Sequence, residues 1–281
     1  MDETVVGIDL GGTNMRAGLV CDGVVEKIEM TPVPETDDWL VVMNSLIETI
    51  ESVMTNEVKG IGIGVPGIVD YKTGVVYDIQ NIPSWKEVEV AQILSKKFNV
   101  PVYVNNDANC FAVGERYFGK GRNFDDFVGL ITGTGLGAGI IKGGHLLTDQ
   151  NCGAGEFGMI PYMDDNYEHY CSGRFFNNSA GTEGENLAKQ ALNGDEKAKA
   201  VFDSYGEHLA NAIKTIIFAV DPAAIILGGS VSKSFEFFEE GLKKGLNDFP
   251  YAGVIDKLSI EVSDMPDIAI LGAAALYFDN K

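Results

Sequence analysis

The sequence predicts an α/β protein with two lobes and an active-site cleft between them. A buried strand leads into a loop of glycine and threonine twice, at residues 9–14 and at residues 132–135. Each loop is followed by a strand, a tight turn and another strand, so one supersecondary unit occurs in two copies. With 281 residues and 45% hydrophobic content, the chain is long enough for about two domains that each bury a core. We therefore expect two similar domains that face each other across a cleft.

The first half of the chain predicts three meandering strands, followed by alternating helices and strands. Apolar and β-branched runs predict strands at residues 4–10, 15–20, 24–30, 58–65 and 100–104. Apolar residues that recur every three or four positions predict helices at residues 36–54, 84–98 and 108–118. We expect Thr36 to cap the first of these helices. Ser84 and Glu87 fit a capping box at the second.

The second half begins with the repeated unit and continues with helices. Strands are predicted at residues 127–132, 137–141, 145–147, 223–227 and 260–263. Helices are predicted at residues 182–194, 195–221, 232–246 and 268–278. Thr182 with Glu185 is expected to open the first of these helices. We expect Asp195 to cap the long helix, which Asp221-Pro222 ends.

Composition and charge exclude several classes of protein. No run of about eighteen apolar residues exists, and no basic region precedes an apolar one at the N-terminus, so neither a membrane span nor a secretory signal is expected. A formal net charge of −20 disfavours nucleic acid and anionic lipid as partners. The four cysteines form no C-x-x-C pair, which predicts reduced thiols in a cytoplasmic protein. They are Cys21, Cys110, Cys152 and Cys171.

The glycine loops favour phosphate binding. Glycine lets the backbone come close to a phosphate, and threonine hydroxyls add donors without charge. A further pair, Gly228-Gly229, follows the strand predicted at residues 223–227. Two matched loops and this pair together favour phosphate binding over ordinary hairpin turns. Because the chain is so acidic, we expect backbone amides and a metal ion to hold a nucleotide, with little help from lysine or arginine.

Asp107 is the leading candidate for chemistry. The strand predicted at residues 100–104 leads into Asn105-Asn106-Asp107-Ala108-Asn109, and a helix follows. At such a junction, backbone amides and the helix dipole can fix the position and charge of a carboxylate. A fixed carboxylate together with two phosphate-cradling loops is the arrangement that a phosphotransferase needs. On this segment alone, the alternative that Asp107 only caps the helix stays open.

Two other nucleotide-binding motifs fit less well. Gly133-x-Gly135-x-x-Ala138 matches the dinucleotide fingerprint, which would suggest an oxidoreductase. That fingerprint must open a helix so that the pyrophosphate meets the helix N-terminus. Residues 139–144 are instead β-prone and rich in turn residues, which disfavours this interpretation. The G-x-x-x-x-G-K-[ST] loop of P-loop enzymes is absent.

Seven motifs along nearly the whole chain carry a family resemblance. They are Asp9-Leu10-Gly11-Gly12-Thr13-Asn14, Gly64-Val65-Pro66-Gly67, Asn106-Asp107-Ala108-Asn109 with Gly114-Glu115, Thr132-Gly133-Thr134-Gly135-Leu136-Gly137, Gly155-Glu156-Phe157-Gly158, Leu227-Gly228-Gly229 and Leu271-Gly272-Ala273-Ala274. In this order, they resemble the ROK family of sugar kinases and related repressors, within the actin-like ATPase superfamily. The resemblance implies a two-lobed, ribonuclease-H-like fold.

The resemblance also implies a reaction, in which ATP with Mg²⁺ phosphorylates a hexose, usually at the six-position hydroxyl. Asp107 would be the general base. The implied sugar ligands are Gly67, Asn81, Asn106, Asp107, Glu156 and Glu168, the last of which precedes Tyr170-Cys171-Ser172-Gly173. The implied ATP and phosphate ligands are Asp9, Gly11, Gly12, Thr13, Asn14, Thr132, Gly133, Thr134, Gly228 and Gly229. Among these, Asp9 would lie near a Mg²⁺ ion that binds through the nucleotide, and the Gly228-Gly229 pair would lie against the adenosine.

One region departs from the family pattern. Family members usually carry Gly-His after the Glu-x pair and then a cysteine-rich zinc loop. Here Met159 stands at the histidine position, and residues 160–167 are too short for the loop and contain no cysteine. His145, His169 and Cys171 lack ligand spacing, so we predict no structural zinc site. His169 is either a sugar ligand or a solvated loop residue, and the missing histidine leaves the sugar preference open.

The sequence leaves more than one function open. Glucose is the first expectation, because the commonest single-chain, non-repressor members of the family resemble glucokinase. The alternatives are kinases of N-acetylglucosamine, N-acetylmannosamine or fructose. Family repressors carry an N-terminal helix-turn-helix, for which a first strand at residue 4 leaves no room. A non-catalytic sugar sensor would need neither Asp107 nor the threonine-glycine loops.

The lobes and partners follow from the same resemblance. We expect residues 1–115 and 267–281 to form a smaller lobe that binds sugar and phosphate. Residues 116–266 would form a larger lobe that binds the nucleotide. The expected partners are a hexose and ATP, and a homodimer is expected because dimers are frequent in the family.

Overall fold

The structure is a computed structural model that describes residues 3–79, 81–150 and 153–281. Numbered along the chain, the strands are β1 (Val5–Leu10), β2 (Asn14–Cys21), β3 (Val24–Pro32), β4 (Ile61–Val65), β5 (Ile68–Asp70), β6 (Val75–Tyr77), β7 (Glu87–Val88), β8 (Val102–Asn106), β9 (Phe127–Thr132), β10 (Leu136–Lys142), β11 (His145–Leu146), β12 (Pro161–Tyr162), β13 (Asp165–Asn166), β14 (Ala224–Gly228) and β15 (Ser259–Val262). The helices are α1 (Trp39–Val53), α2 (Val90–Phe98), α3 (Asp107–Tyr117), α4 (Tyr167–Cys171), α5 (Arg174–Ala180), α6 (Gly184–Leu192), α7 (Glu196–Val220), α8 (Phe235–Leu246), α9 (Ala252–Ile255) and α10 (Ile268–Asp279). Cys152 lies outside the described residues, so a reduced thiol there stays a prediction.

The chain divides into two compact units. The first contains Met1–Asn123, Gly144–Ala154 and Met265–Lys281, and the second contains Phe124–Gly143 and Gly155–Asp264. Residues 116–123, 144–154 and 265–266 therefore belong to the first unit, whereas the predicted boundaries place them in the larger lobe. Asp279, at the end of α10, supplies one reason, because its carboxylate accepts from the Leu146 amide at 3.3 Å and lies 3.2 Å from His145 Nδ1.

The first unit is built on a five-stranded mixed sheet in the order β3-β2-β1-β4-β8. β1 is antiparallel to β2, with Ile8 opposite Ala17, and parallel to β4, with Ile8 opposite Ile63. β4 is in turn parallel to β8. The carboxyl ends of β1, β4 and β8 therefore meet at one edge of the sheet, which is where the first glycine loop, Pro66-Gly67 and Asp107 follow.

Both faces of this sheet are covered, as the alternation of side chains along a strand allows. Val6 and Ile8 pack in one core cluster with residues of α1, including Leu46. Val5, on the opposite face, packs with Ile270 and Leu271 of α10. The last helix of the chain is thus an integral part of the first unit.

The second unit repeats this arrangement. β9 and β10 are antiparallel and are joined by the second glycine loop, with Gly129 opposite Gly139. β14 is parallel to β9 and to β15, so these strands lie in the order β10-β9-β14-β15. The supersecondary repeat predicted from the two loops is confirmed. Because the strand β10, and no helix, follows the second loop, the dinucleotide fingerprint is excluded here.

Long helices cover the second sheet. Asp195 caps the 25-residue helix α7 and accepts from the Lys197 amide at 2.8 Å, as predicted. The helix ends at Asp221, which adopts a left-handed conformation with φ 45° before Pro222. α7 packs closely on α8, since a Cβ at Gly241 would lie 2.1 Å from the Asp203 carbonyl oxygen. Across the described ranges, every helix is too short or too polar to serve as a membrane span.

Three predicted helix starts are wrong. Asp38, and not Thr36, caps α1, while the Thr36 hydroxyl accepts from the Asp38 amide. Glu87 belongs to strand β7, where it pairs with Tyr77, so Ser84 and Glu87 form no capping box and α2 begins at Val90. α6 begins at Gly184 with no side-chain cap from Thr182. In each case the spacing of the residues fits a helix cap, but the helix begins at a later residue.

Short elements account for the remaining differences. The hairpin of β5 and β6 and the short β12–β13 pair were not predicted. Neither were the short helices α4, α5 and α9. The helix predicted from Ser232 instead begins with a 3-10 turn, Val231–Ser234, before α8.

Candidate active site

The predicted base, Asp107, lies at the junction of β8 and α3 in the first unit. Asn106 occupies the N-cap position and its side chain accepts from the Ala108 amide at 2.8 Å. Asp107 is the first helical residue, and its carboxylate also lies 2.8 Å from that amide. Its side chain is exposed, at the helix end where the dipole favours negative charge. Asn106, and not Asp107, therefore occupies the N-cap position, and the role of Asp107 as a general base stays a prediction.

Buried amides brace this junction from behind. Asn105 and Asn109 are 7% and 6% exposed, and Asn109 Nδ2 donates to Asn105 Oδ1 at 2.9 Å. The same Asn105 oxygen accepts from the Asn106 amide at 2.8 Å. Since buried polar groups are costly unless they are hydrogen-bonded, this network fixes the backbone that carries Asp107.

Two predicted sugar ligands meet at the end of the neighbouring strand. Asn106 Nδ2 lies 3.4 Å from the Gly67 carbonyl oxygen, which follows β4. Gly67 also approaches the loop after β6, because a Cβ at this position would lie 3.4 Å from Ile79 Cγ1. The parallel pairing of β4 and β8 explains why residues 39 positions apart come together.

Asn81 lies directly against the first glycine loop. A Cβ at Gly12 would be 2.3 Å from Asn81 Cβ, so only glycine fits at position 12 without a shift of the loop. Within the loop, the Gly11 amide donates to the Asn14 carbonyl at 2.9 Å, and the Thr13 carbonyl accepts from Val33 at 2.8 Å. A predicted sugar ligand and the predicted phosphate loop of the first unit are thus neighbours.

Asp9 is the last polar residue of β1 before this loop. Partial burial raises the pKa of Asp9, and the positive charge of Arg16, its cross-strand neighbour, opposes the shift. Arg16 is itself ion-paired with Asp267. Within the described ranges, no three His, Cys, Asp or Glu side chains are grouped so that they could hold a metal ion by themselves. A lone carboxylate fits Mg²⁺ only when substrate phosphates and water complete its shell.

The second glycine loop and the Gly228-Gly229 pair meet in the second unit. The Thr132 hydroxyl is buried and donates to the Gly228 carbonyl at 3.2 Å. Gly229 has a φ of 88°, and a Cβ there would lie 2.4 Å from the Thr132 carbonyl oxygen. The Thr132 side chain is therefore engaged within the protein, while Gly133 and Thr134 are the loop residues that reach open space.

That open space is a cavity of about 720 Å³ in the second unit. Its apolar wall includes Phe176, Ala188, Phe202 and Val231. Its polar wall includes Gly133, Thr134, Ser230, Ser234, Asn177, Glu183, Glu185, Arg174 and Lys233. Ligand sites of about 300–1,000 Å³ with a largely apolar lining and a few polar groups are typical for small molecules. The two basic residues were not predicted, and Arg174 follows directly on the Ser172-Gly173 motif that could have drawn attention to it.

Glu168 lies beside the same loop. Its Oε2 accepts from the Leu136 amide at 3.2 Å, and its Oε1 is 3.0 Å from Arg174 Nη1. Gly135 allows this approach, since a Cβ there would lie 2.5 Å from Glu168 Oε2. The predicted sugar ligand Glu168 is thus in contact with the predicted phosphate loop and with a cavity-lining arginine.

Glu156, the other predicted sugar carboxylate of this unit, is electrostatically linked to Glu168. Partial burial raises the pKa of Glu156, and the negative charge of Glu168 raises it further. Gly155, just before it, has a φ of 94° and packs on the Ala138 carbonyl, which explains the glycine there. Met159, at the position of the family histidine, is 53% exposed.

His169 is placed in a helix, although a loop was predicted around it. It lies in α4, where Nδ1 is 3.1 Å from Asp165 Oδ2 and Nε2 is 3.2 Å from Asn178 Nδ2. Both ring nitrogens therefore face protein groups of the second unit, and His169 lies in a helix and not in a loop. Its role as a sugar ligand stays a prediction. The segment before α4, where a zinc loop would stand, is the short β12–β13 pair.

The predicted residues are thus divided between the two units. The group of the first unit comprises Asp9, Gly11, Gly12, Thr13, Asn14, Gly67, Asn81, Asn106 and Asp107. The group of the second unit comprises Thr132, Gly133, Thr134, Glu156, Glu168, Gly228 and Gly229.

Comparison with known proteins gives consistent results. A family model described as the ROK family matches residues 5–280. A glucokinase of Thermotoga maritima is 29% identical, with 97% of this chain and 96% of the relative covered. An N-acetyl-D-glucosamine kinase of Haemophilus influenzae is 31% identical, with 85% and 88% covered. A ROK family glucokinase from Streptomyces griseus, solved by crystallography in complex with glucose and AMPPNP, is 25% identical in sequence. Its structure matches with a TM-score of 0.79, and 97% of this chain and 98% of that chain are covered.

Proposed function

Because the chain belongs to the ROK family and has the actin-like ATPase fold of its sugar kinases, we propose that it is an ATP-dependent hexose kinase. We propose that the acceptor is the 6-hydroxyl of glucose or a close analogue. The observation that carries the proposal is the cavity of the second unit, which is lined by Gly133 and Thr134 and by Ser230, next to the Gly228-Gly229 pair. Phosphate-binding loops beside an apolar wall suit a nucleoside triphosphate.

An N-acetylhexosamine is the second candidate for the acceptor. Its support is the N-acetyl-D-glucosamine kinase at 31% identity, which is as similar to the chain as the glucokinase is. Met159 in place of the family histidine removes a polar group from the proposed sugar site and leaves either sugar possible. A fructose kinase is a further alternative. The cytoplasmic location and the homodimer stay predictions.

In the proposed reaction, the oxygen of the sugar hydroxyl attacks the γ-phosphorus of ATP in line with the bond to the β,γ-bridging oxygen. The new O–P bond forms as the bridging bond breaks, ADP leaves with that electron pair, and the hydroxyl proton passes to the Asp107 carboxylate. Because such transition states are loose, an aspartate suffices as a late proton acceptor. Asn81, Asn106, Glu156 and Glu168 would orient the hydroxyls by hydrogen bonds.

Asp9 is the residue that we propose for Mg²⁺. When bound, the ion would neutralise charge on the β- and γ-phosphates, with Asp9 beside it or reached through water. Amides of both glycine loops would bind phosphate oxygens. Asp107 would not bind the ion, because its proposed role is to accept the proton of the sugar hydroxyl.

A coupled assay of ADP release tests the proposal. The purified protein with ATP and Mg²⁺ is offered glucose, mannose, fructose, N-acetylglucosamine and N-acetylmannosamine. We expect sugar-dependent ADP release with the highest kcat/KM for glucose, and a product that a dehydrogenase specific for glucose 6-phosphate oxidises. A maximum with an N-acetylated sugar supports the second candidate. Sugar binding without ADP release from any of them would contradict a kinase and point to a sugar sensor.

The variant Asp107→Asn tests the base. It keeps the size and hydrogen-bonding reach of the side chain but cannot accept the proton, so turnover should fall by about a hundredfold or more. Sugar affinity, measured by calorimetry, should be largely retained. Asp22→Asn is the matched control, because Asp22 is exposed in the β2–β3 turn at a φ of 50° that asparagine tolerates. Turnover of Asp107→Asn at the level of this control would remove Asp107 from the role.

A further inference from the structure

Arg174 lies between a carboxylate and the cavity of the second unit. Its guanidinium Nη1 is 3.0 Å from Glu168 Oε1, and the side chain is 57% exposed. Arg174 and Lys233 are the basic residues among those that line the cavity. A guanidinium carries five N–H donors in a planar fork, so the contact through Nη1 leaves Nε and Nη2 able to donate to an anion.

The backbone holds Arg174 against the second glycine loop. The Gly173 amide donates to the Gly133 carbonyl at 2.7 Å, and the Arg174 amide donates to Ser172 Oγ at 3.2 Å. Ser172 is fully buried, which anchors this turn in the core. The start of the arginine side chain is therefore fixed one residue away from a direct contact with the loop.

The negative charge of Glu168 attracts the guanidinium of Arg174. Its carboxylate accepts from the Leu136 amide at 3.2 Å and its side chain is only 15% exposed. Such a carboxylate at the end of a phosphate-binding loop would repel an incoming phosphate, because charges interact strongly where water is excluded. The positive charge of Arg174 compensates it and leaves the loop able to accept an anion.

Lys233 has a different neighbour. It lies in the Val231–Ser234 turn, and its charge helps to lower the pKa of Glu185, after the larger effect of the hydrogen bond from Lys189. Its charge is therefore directed at least partly toward α6. Arg174 is the basic residue whose chain contacts the Gly133 loop.

We propose that Arg174 binds the terminal phosphates of the nucleotide and that Glu168 holds its guanidinium in place. This inference rests on the proposal that a nucleotide is the phosphate donor, and it adds Arg174 to the groups proposed to bind that nucleotide. It revises the expectation that backbone amides and a metal ion bind the phosphates with little help from arginine. It also gives Glu168 two tasks, because the same carboxylate is a proposed sugar ligand.

Nucleotide binding by the full chain, measured by calorimetry without sugar, tests the proposal. Adenosine, ADP and a non-hydrolysable ATP analogue are titrated into the wild type, Arg174→Ala, Arg174→Lys and the control Arg122→Ala. Arg122 is exposed in the first unit, outside the cavity. In Arg174→Ala, affinity for the ATP analogue should fall roughly 10- to 100-fold, as expected for hydrogen bonds to charged groups. The affinity of Arg174→Ala for adenosine should stay within about twofold of the wild-type value, and the loss of affinity for ADP should lie between the losses for adenosine and for the ATP analogue. Arg174→Lys should recover part of the affinity for the ATP analogue.

Each outcome decides between specific alternatives. An equal loss for adenosine and for the ATP analogue would overturn the proposal, since a phosphate contact cannot act on adenosine. The proposal would also be overturned if Arg174→Ala bound the ATP analogue as tightly as the wild type does, or if the wild type did not bind the analogue. Arg174→Lys keeps a cation beside Glu168 and covers the case in which the alanine variant does not fold. If the wild type phosphorylates no hexose but the graded loss is found, the kinase proposal fails and this one stands.

Discussion

At the scale of single residues, Glu156 and Glu168 are two carboxylates in unlike surroundings. Glu168 is paired with Arg174 at 3.0 Å and accepts from the Leu136 amide. Burial raises the pKa of Glu156, and the charge of Glu168 raises it further. Ionised Glu156 therefore costs free energy in the folded protein. A sugar hydroxyl that donates to this carboxylate would offset part of that cost in the proposed complex.

Replacing Glu156 by Gln should stabilise the protein at neutral pH. Because its pKa in the folded protein is raised above the ordinary 4.5, the folded protein binds this proton more tightly than the unfolded chain does. The resulting stability is fully present below the unfolded-state pKa and is lost as pH rises through the folded-state pKa. The Tm of Glu156→Gln should therefore exceed that of the wild type at pH 7, and the difference should close near pH 4. Thermal melts across this range measure it.

Glu185→Gln is the matched control for this prediction. A side-chain hydrogen bond from Lys189 lowers the pKa of Glu185, so its ionised form is the favoured one and its removal should bring no gain. The −20 charge of the chain makes this control necessary, since the loss of any negative charge relieves some repulsion. An equal rise in Tm for both variants would contradict a specific cost at Glu156.

The sequence predicted which residues form the site better than it predicted which groups their side chains contact. The Asn106-Asp107 junction has the predicted strand-to-helix geometry, because the β-branched run before it and the apolar spacing after it are strong local signals. Thr132 was expected to donate to phosphate, yet its hydroxyl is buried and donates to Gly228. Which hydroxyl points inward depends on the neighbouring strand β14, nearly a hundred residues later, and no local pattern reports it.

At the scale of elements, local signals succeeded where no tertiary pairing competed. The Asp195 cap precedes a long helix with a strong apolar stripe, and the structure confirms it. Ser84 and Glu87 have the spacing of a capping box, but Glu87 pairs with Tyr77 of β6 instead. The five-residue helix α4 and the seven-residue helix α5 are too short to show a period.

Glycines set how closely α10 packs on the first sheet. A Cβ at Gly7 would lie 2.0 Å from the Ile270 carbonyl oxygen, and a Cβ at Gly62 would lie 1.8 Å from the Ala273 carbonyl oxygen. Gly272 of α10 is equally close to α3, with Cys110 O at 2.1 Å from its hypothetical Cβ. These atoms belong to helix backbones, which cannot move aside as a flexible side chain can.

Gly62→Ala should therefore destabilise the first unit by about 1–3 kcal/mol, as overpacking typically does. Urea unfolding should show a lower midpoint. The control is Gly253→Ala in α9, where the added methyl group has nothing within 4 Å and alanine favours the helix. A Gly62→Ala midpoint equal to that of the control would mean that α10 can shift without cost.

At the scale of the whole molecule, the repeat was predictable, whereas the division of the chain into units depends on contacts between residues that are distant in sequence. Two glycine loops between strands signal the duplicated sheet, and both sheets have an antiparallel pair followed by parallel strands. The segment 144–154 belongs to the first unit, where Asp279 accepts from Leu146. Nothing in the sequence of that segment points to a residue more than 130 positions away.

The net charge of the chain allows a prediction for the protein as a whole. With 41 acidic against 21 basic residues, the formal charge is −20, and self-repulsion of this kind destabilises a compact state. Between about 0.1 and 1 M salt the Debye length falls from about 10 Å to about 3 Å, which screens repulsion between distant surface charges. Exposed ion pairs, such as Lys189 with Glu185, are also screened but contribute little each. The Tm should therefore rise with salt, by about 2–4 °C for each kcal/mol of relieved repulsion.

Thermal melts in NaCl and in KCl at matched ionic strength measure this effect. Screening depends on ionic strength alone, so the two salts should raise the Tm by the same amount. A rise with only one of them would indicate a bound cation. A fall with both would mean that attractive surface pairs outweigh the repulsion, and that the acidic surface is arranged in compensating pairs. Because the proposed sugar is neutral, its affinity should change much less with salt than that of ATP, whose charged phosphates would meet the acidic surface and, in our proposal, Arg174.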